Sequence, residues 1–115
     1  MAKKEELEIL LQAIVERLND VGPDVAADWG GSLLYVISDL RTGWLVKMAM
    51  DGTVESCNET TDEKAASGVV ELNSDTFVDI YTGKTTPMNA VAAGKIKMRK
   101  AMDALVKILP NTIDQ

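Results

Sequence analysis

Residues 74–99, from Ser74 to Arg99, read SDTFVDIYTGKTTPMNAVAAGKIKMR, and this stretch decides the fold. Asn73, Ser74 and Asp75 offer side-chain oxygens to cap a helix. In that helix Phe77, Ile80 and Tyr81 recur at i, i+3 and i+4 on one face, and Gly83 supplies a left-handed stop. Thr86 and Pro87 begin a second helix: the threonine can cap and the proline's fixed φ suits the first helical position. Met88, Val91 and Ala92 share a face there, and Gly94 ends it. Lys95, Lys97 and Arg99 then alternate with Ile96 and Met98, which predicts a strand with one cationic and one apolar side. Helices shorter than about twelve residues are marginal alone in water, so both must be held as covers on a sheet.

Upstream, the chain supplies that sheet. Leu33 to Ser38 is a β-rich run. Trp44, Val46, Met48 and Met50 alternate with Leu45, Lys47, Ala49 and Asp51, and the charges on Lys47 and Asp51 mark the outer side, so the first set is expected to face the helices. Asp51-Gly52 is a hairpin signal into a third strand from Thr53 to about Cys57. A polar loop, Asn58 to Ser67, leads to a fourth strand at Val69 to Leu72 that continues the meander, and Ile96 and Met98 belong to the fifth. At the start, Leu7, Leu10, Leu11, Ile14, Val15 and Leu18 form a helical stripe from Lys3 to Asn19, ended by Gly22 and Pro23. After Lys100, the spacing of Met102, Leu105, Val106 and Leu109 predicts a closing helix, stopped by Pro110.

A chain of 115 residues is expected to form one domain with one core. A net charge of −6 with no histidine argues against nucleic acid, whose phosphates need clustered Lys and Arg. The cluster Lys95, Lys97, Arg99 and Lys100 reads as a solvated sheet side or edge protection. No apolar run approaches the roughly twenty residues of a membrane span, so no transmembrane segment is expected. Met1 to Glu6 has no apolar segment behind its basic residues, and the polar tail Asn111 to Gln115 is not a peroxisomal tripeptide. With a single Cys57, these features lead us to expect a cytoplasmic protein.

Motifs for chemistry fail one by one. Gly83-Lys84-Thr85 imitates the end of a phosphate loop, yet position 78, where that loop needs glycine, is Val78. Asn58-Glu59-Thr60 is a glycosylation sequon without a secretion signal. No histidine is present to serve as general base or imidazole metal ligand, and one cysteine cannot build a thiolate zinc site, which leaves only carboxylate pairs. Glu59, Asp62 and Glu63 read as a solvated charge run, and Cys57 as a small buried hydrophobe. What stands out is methionine: Met48, Met50, Met88, Met98 and Met102 all fall where the patterns face inward, an adaptable lining for a variable aliphatic guest.

The steps Gly83-Lys84 and Gly94-Lys95 flank a Pro-initiated helix, and with the capped helix before them and the alternating strand after them the chain resembles the sterol carrier protein lipid-binding domain family, of the nonspecific lipid-transfer type, from about Asp28 to about Leu109. The resemblance implies an α/β fold of the α+β type: a five-stranded mixed, mainly antiparallel sheet covered by helices, with an apolar tunnel between them. Residues 1–115 would then be a single lipid-binding domain with residues 1–21 as an N-terminal helix. It implies non-catalytic binding and transfer of fatty acids, fatty acyl-CoA, sterols or similar long aliphatic molecules, without a cofactor and with transient membrane or enzyme contact. Carried over by position, the lining is Phe77, Ile80 and Tyr81 from the first cover helix, Met88 and Val91 from the second, and Ile96 and Met98 from the last strand. Trp44, Val46, Met48 and Met50 match the second strand, and Met102, Leu105 and Leu109 the closing helix. The chain departs from the family pattern at Val91, where relatives often have a large aromatic, and at Lys100-Ala101, where they often have glycine. Two other readings fit the same residues: an accessory subunit presenting a lipophilic intermediate, such as a prenylated quinone precursor, to an enzyme, and a structural interaction domain with a filled core.

Overall fold

Five strands pair into one sheet: β1 (Ser32–Ile37), β2 (Thr42–Met48), β3 (Val54–Glu59), β4 (Gly68–Leu72) and β5 (Lys97–Arg99), in the order β3-β2-β1-β4-β5. This computed structural model describes residues 2–113; Met1 and the last two tail residues, Asp114 and Gln115, lie outside the described residues. β1 runs antiparallel to β2, β2 to β3 and β4 to β5, whereas β1 and β4 are parallel. The sheet is therefore mixed and mainly antiparallel.

The expected meander stops at β3. β4 returns across the sheet to lie beside β1, with Leu33 opposite Gly68 and Ile37 opposite Leu72. The composition of the strands explains the order. Leu33, Leu34, Tyr35 and Ile37 are buried on both sides of β1, which needs a neighbour at each edge, while β3 is rich in Glu, Ser and Asn and tolerates the margin.

Four helices, α1 (Lys4–Val25), α2 (Ser74–Tyr81), α3 (Pro87–Ala92) and α4 (Met102–Ile108), pack on one face, and a 3-10 turn, Leu109–Thr112, follows α4. Beneath them Leu33, Tyr35, Ile37, Trp44, Val46, Met48, Val70 and Leu72 join Leu7, Leu11, Ile14, Leu18, Phe77, Ile80, Leu105 and Ile108 in one apolar cluster. The two short helices are capped as the sequence predicts. Asn73 Oδ1 accepts from the Thr76 N–H at 2.8 Å and Thr86 Oγ1 from the Asn89 N–H at 3.1 Å. Asp39 adds a brace: its carboxylate accepts from the Ser74 N–H at 2.8 Å and the Ser74 hydroxyl at 2.6 Å.

Two boundaries differ from expectation. α1 does not stop at Gly22-Pro23 but runs through both to Val25. Gly22 is a contact residue rather than a terminator: a Cβ there would lie 1.7 Å from the Gly52 carbonyl oxygen, so the helix rests directly on the turn before β3. In α4 the buried residues are Leu105 and Ile108, followed by Leu109, so Met102 and Val106 sit on the wet side. Lys100 and Ala101, the residues at which the chain departs from the glycine of the family pattern, have φ of +60° and +42° and lead directly into α4.

The other face of the sheet is small and closed. Leu34, Leu45 and Val69 are covered by Ala66 and the loop carrying the 3-10 turn Glu63–Ala65. Arg99 holds that loop: its Nε and Nη2 donate to the two Glu63 carboxylate oxygens at 3.0 and 3.1 Å, and its Nη1 lies 2.9 Å from Glu71. Lys100 Nζ donates to the Glu63 carbonyl at 2.7 Å. Glu63 is thus a structural partner and not part of a solvated run; of the cationic group, Arg99 is half-buried while Lys95, Lys97 and Lys100 are exposed.

Candidate functional site

α1 lies over the sheet with a recess along each flank. Helical periodicity sends Leu7, Leu11, Ile14 and Leu18 downward, which leaves Leu10, Ala13 and Arg17 on one side and Glu8, Gln12 and Val15 on the other. The first recess, about 350 Å³ and open to solvent, is lined by Leu10, Ala13, Ile14 and Arg17 of α1, by Ile80 and Tyr81 at the end of α2 with Gly83 just beyond it, and by Thr112 and Ile113. The second, about 490 Å³, lies between Glu8, Ile9, Leu11, Gln12 and Val15 of α1 and Trp44, Cys57 and Glu59 of β2 and β3. Both volumes fall in the range of small-molecule sites, roughly 300–1,000 Å³.

The floor of the first recess is built by aromatic packing. Tyr35 meets Phe77 edge-on at 5.6 Å, and Phe77 lies 4.8 Å from Tyr81. The hydroxyls form a chain whose direction can be deduced. Thr112 donates its only hydroxyl proton to the Leu109 carbonyl at 2.6 Å, so it must accept from Tyr81 at 2.9 Å, and Tyr81 must accept from Tyr35 at 2.9 Å. The chain ties the central strand to α2 and to the C-terminal turn. Burial, and then the electrostatic influence of the adjoining Tyr81 phenol, pushes the Tyr35 phenol well above its ordinary value; burial also raises Tyr81, opposed by its bonds to Thr112 and Tyr35. Both phenols stay protonated and serve as grips. Cys57, half-buried, has its thiol pushed up by burial, which keeps the nucleophilic thiolate scarce.

Of the residues proposed from sequence, Ile80 and Tyr81 line the first recess and Trp44 the second. Val46, Met48, Phe77, Ile96, Leu105 and Leu109 are buried in the cluster beneath the helices, and Val91 and Met98 are packed against it. Three methionines depart from the expected inward placement. Met50 is 61% exposed because the ladder breaks its register between Lys47 and Met48, ending the alternation before it arrives. Met88 is 39% exposed because α3 buries Pro87 and Ala90 instead, which also leaves Ala92 outside. Met102 is 53% exposed as the first residue of α4, one phase away from Leu105 and Ile108. The sequence reading missed the contribution of α1. Its signal was present: Arg17 stands seven residues after Leu10 and three after Ile14, a lone cation beside an apolar stripe on a helix otherwise acidic from Glu5 onward.

The sequence profile of the SCP-2 sterol transfer family matches residues 11–108. A comparison with curated protein sequences finds no match. Among solved structures, sterol carrier protein 2 superposes with a TM-score of 0.69 at 19% identity, over 90% of this chain and 87% of its own. Palmitated SCP2L2 from Aedes aegypti gives 0.61 at 16% identity, over 91% and 96%. A double mutant of the sec-alkyl sulfatase PisA1 gives 0.73 at 18% identity over 94% of this chain, which spans 16% of the length of that protein. At these identities the likeness is one of fold.

Proposed function

We propose that this chain, which belongs to the SCP-2 sterol transfer family, binds long aliphatic lipids and releases them unchanged. The observation that carries the reading is the pair of recesses flanking α1, with the buried side chain of Ile14 lining one and that of Leu11 lining the other. A small outward shift of α1 joins them into one channel between helix and sheet, with Ile80, Tyr81 and Trp44 already on its walls and Phe77, Val46 and Met48 beneath. Fatty acids, fatty acyl-CoA and sterol-like molecules are the guests of matching shape, and the Aedes aegypti neighbour was solved in a palmitated form. At about 0.8 kcal/mol per buried CH₂, a chain of about fourteen carbons gains on the order of 10 kcal/mol, and ordering costs of several kcal/mol leave micromolar-class affinity. The neutral, mutually bonded hydroxyls offer contact without a nucleophile or general base, so the site carries and does not convert. We take its compartment to be the cytoplasm, in keeping with the one unpaired cysteine.

Native mass spectrometry of gently purified protein tests this. The expected result is a complex whose added mass is released by organic extraction as a long-chain lipid. Empty protein that also fails to displace a fluorescent fatty acid of any chain length would leave the filled-core interaction domain instead. A stable enzyme recovered together with the lipid would identify a presenting subunit.

A further inference from the structure

Among the described residues the first recess is lined by a single charged side chain, Arg17. Arg17 Nε is buried and has no hydrogen-bond partner among the described residues, and Arg17 makes no ion pair there. No acceptor of the recess reaches it among the described residues: the Tyr81 and Thr112 hydroxyls bond to each other, and Thr112 to the Leu109 carbonyl, while Leu10, Ile14 and Ile80 present hydrocarbon side chains. A buried, unpaired donor on a charged group is costly, so such a group in a native structure points to a partner of opposite character. The protein shows what that partner looks like: on the other side of the sheet, Arg99 turns the same edge of its guanidinium, Nε with Nη2, onto both oxygens of the Glu63 carboxylate at 3.0 and 3.1 Å.

We propose that Arg17 is the headgroup receptor of this site and that the preferred ligand is a single-chain amphiphile with a carboxylate head, its chain running under α1 across Ile14 and Leu11. The inference rests on the carrier reading and narrows it, from any long apolar molecule to a fatty acid. It assigns the first recess to the head and the second, larger one to the tail, along its apolar wall of Ile9, Leu11, Val15 and Trp44 and away from Glu8 and Glu59 at the same recess.

Calorimetric titration with dodecanoate and with dodecanol, which share a chain and differ in the head, separates the two readings. Wild-type protein is expected to bind dodecanoate about ten-fold to a hundred-fold tighter than dodecanol, the range of one charge-assisted contact. Arg17→Met is expected to lower dodecanoate to the level of dodecanol and to leave dodecanol within about two-fold, since the apolar channel is intact. Equal wild-type affinity for both would overturn the headgroup assignment and leave the carrier reading standing. Binding of neither would remove the carrier reading, and the assignment with it. Loss of both ligands in Arg17→Met would show that Arg17 acts through the fold, and would also overturn the assignment. Should that variant not fold, the wild type decides alone: the Arg17 Nε–H resonance is expected to move downfield with dodecanoate and stay with dodecanol, and a resonance indifferent to dodecanoate would end the proposal.

Discussion

α1 and α2 cover the same sheet by opposite means. α2 is eight residues long and is fixed at both ends by polar bonds: Asn73 and Asp39 hold its first turn, and the Tyr81 hydroxyl links its last to Tyr35 and Thr112. α1 is 22 residues long and has no side-chain cap. Its polar ties sit at its ends, where Ala2 N–H donates to Ser74 Oγ at 3.0 Å, Lys4 meets Glu59 at 2.9 Å and Asn19 Oδ1 accepts from the Val54 N–H at 3.0 Å. Between them, where the recesses lie, apolar contacts hold it down: Leu7, Leu11, Ile14 and Leu18 are buried, and Leu10 and Val15 pack against the same cluster. Lifting that span exposes apolar surface but breaks no tertiary side-chain hydrogen bond among the described residues, so on the proposed carrier reading a lipid is admitted there. Length is thus a poor guide to which cover moves: the short helix is fastened and the long one rests on contacts that can re-form around a guest.

The largest effect is expected where the fastening is densest. Phe77 is fully buried and touches both tyrosines, so Phe77→Ala is expected to destabilise the protein by about 3–5 kcal/mol in denaturant unfolding. A loss below about 1 kcal/mol would mean that α2 is not the fixed partner, and the contrast with α1 would collapse.

Gly22→Ala tests the other helix. Alanine is favoured over glycine by about 1 kcal/mol in a helix interior, yet the new methyl meets the Gly52 carbonyl, a backbone atom on a turn whose own φ is +90°. Overpacking of this kind costs about 1–3 kcal/mol, so the clash outweighs the propensity. The expected outcome is a net loss of roughly 1 kcal/mol or more, with amide exchange accelerated along α1 and unchanged in α2. Equal acceleration in both helices would show that they move as one body.

How far these features were legible follows from how local their causes are. The caps Asn73 and Thr86 and the stops Gly83 and Gly94, with φ of +87° and +75°, depend on residues within one turn and could be read directly. The alternation of Trp44, Val46 and Met48 was legible for the same reason, and it failed at Met50 because the break belongs to the pairing with β3. The return of β4 to β1 depends on partners 35 residues away in the chain, as in Leu33 opposite Gly68, and no local pattern records it. Pro23 looked like a helix end because a breaker signal does not include the contact that Gly22 makes with Gly52. Of the expected lining residues, Ile80, Tyr81 and Trp44 lie at the recesses, on the helix-facing side their local patterns predict, whereas the setting of Arg17 depends on Thr112 and Ile113, which reach the same recess from the far end of the chain.

The smallest expected effect concerns the brace at the start of α2. Burial alone raises the Asp39 carboxyl, but the hydroxyl and N–H of Ser74 outweigh it, and the group is held below the usual carboxylate range. A carboxyl depressed in the folded state contributes stability that is present above its unfolded value, about 3.9, and that is lost as the pH falls through the folded one. Asp39 is mostly open to solvent, so screening limits the contribution to a few tenths of a kcal/mol, at most about 1. Asp39→Asn keeps an oxygen for the Ser74 N–H but removes the charge that the hydroxyl meets at 2.6 Å. Its deficit against wild type should therefore be constant between about pH 5 and 7 and shrink below about pH 4 as the wild-type carboxyl takes up its proton. Because that bond fastens α2 and not the middle of α1, the variant should speed amide exchange in the first turn of α2 while leaving lipid affinity unchanged. A fall in affinity with no change at α2 would place the moving cover at the wrong helix.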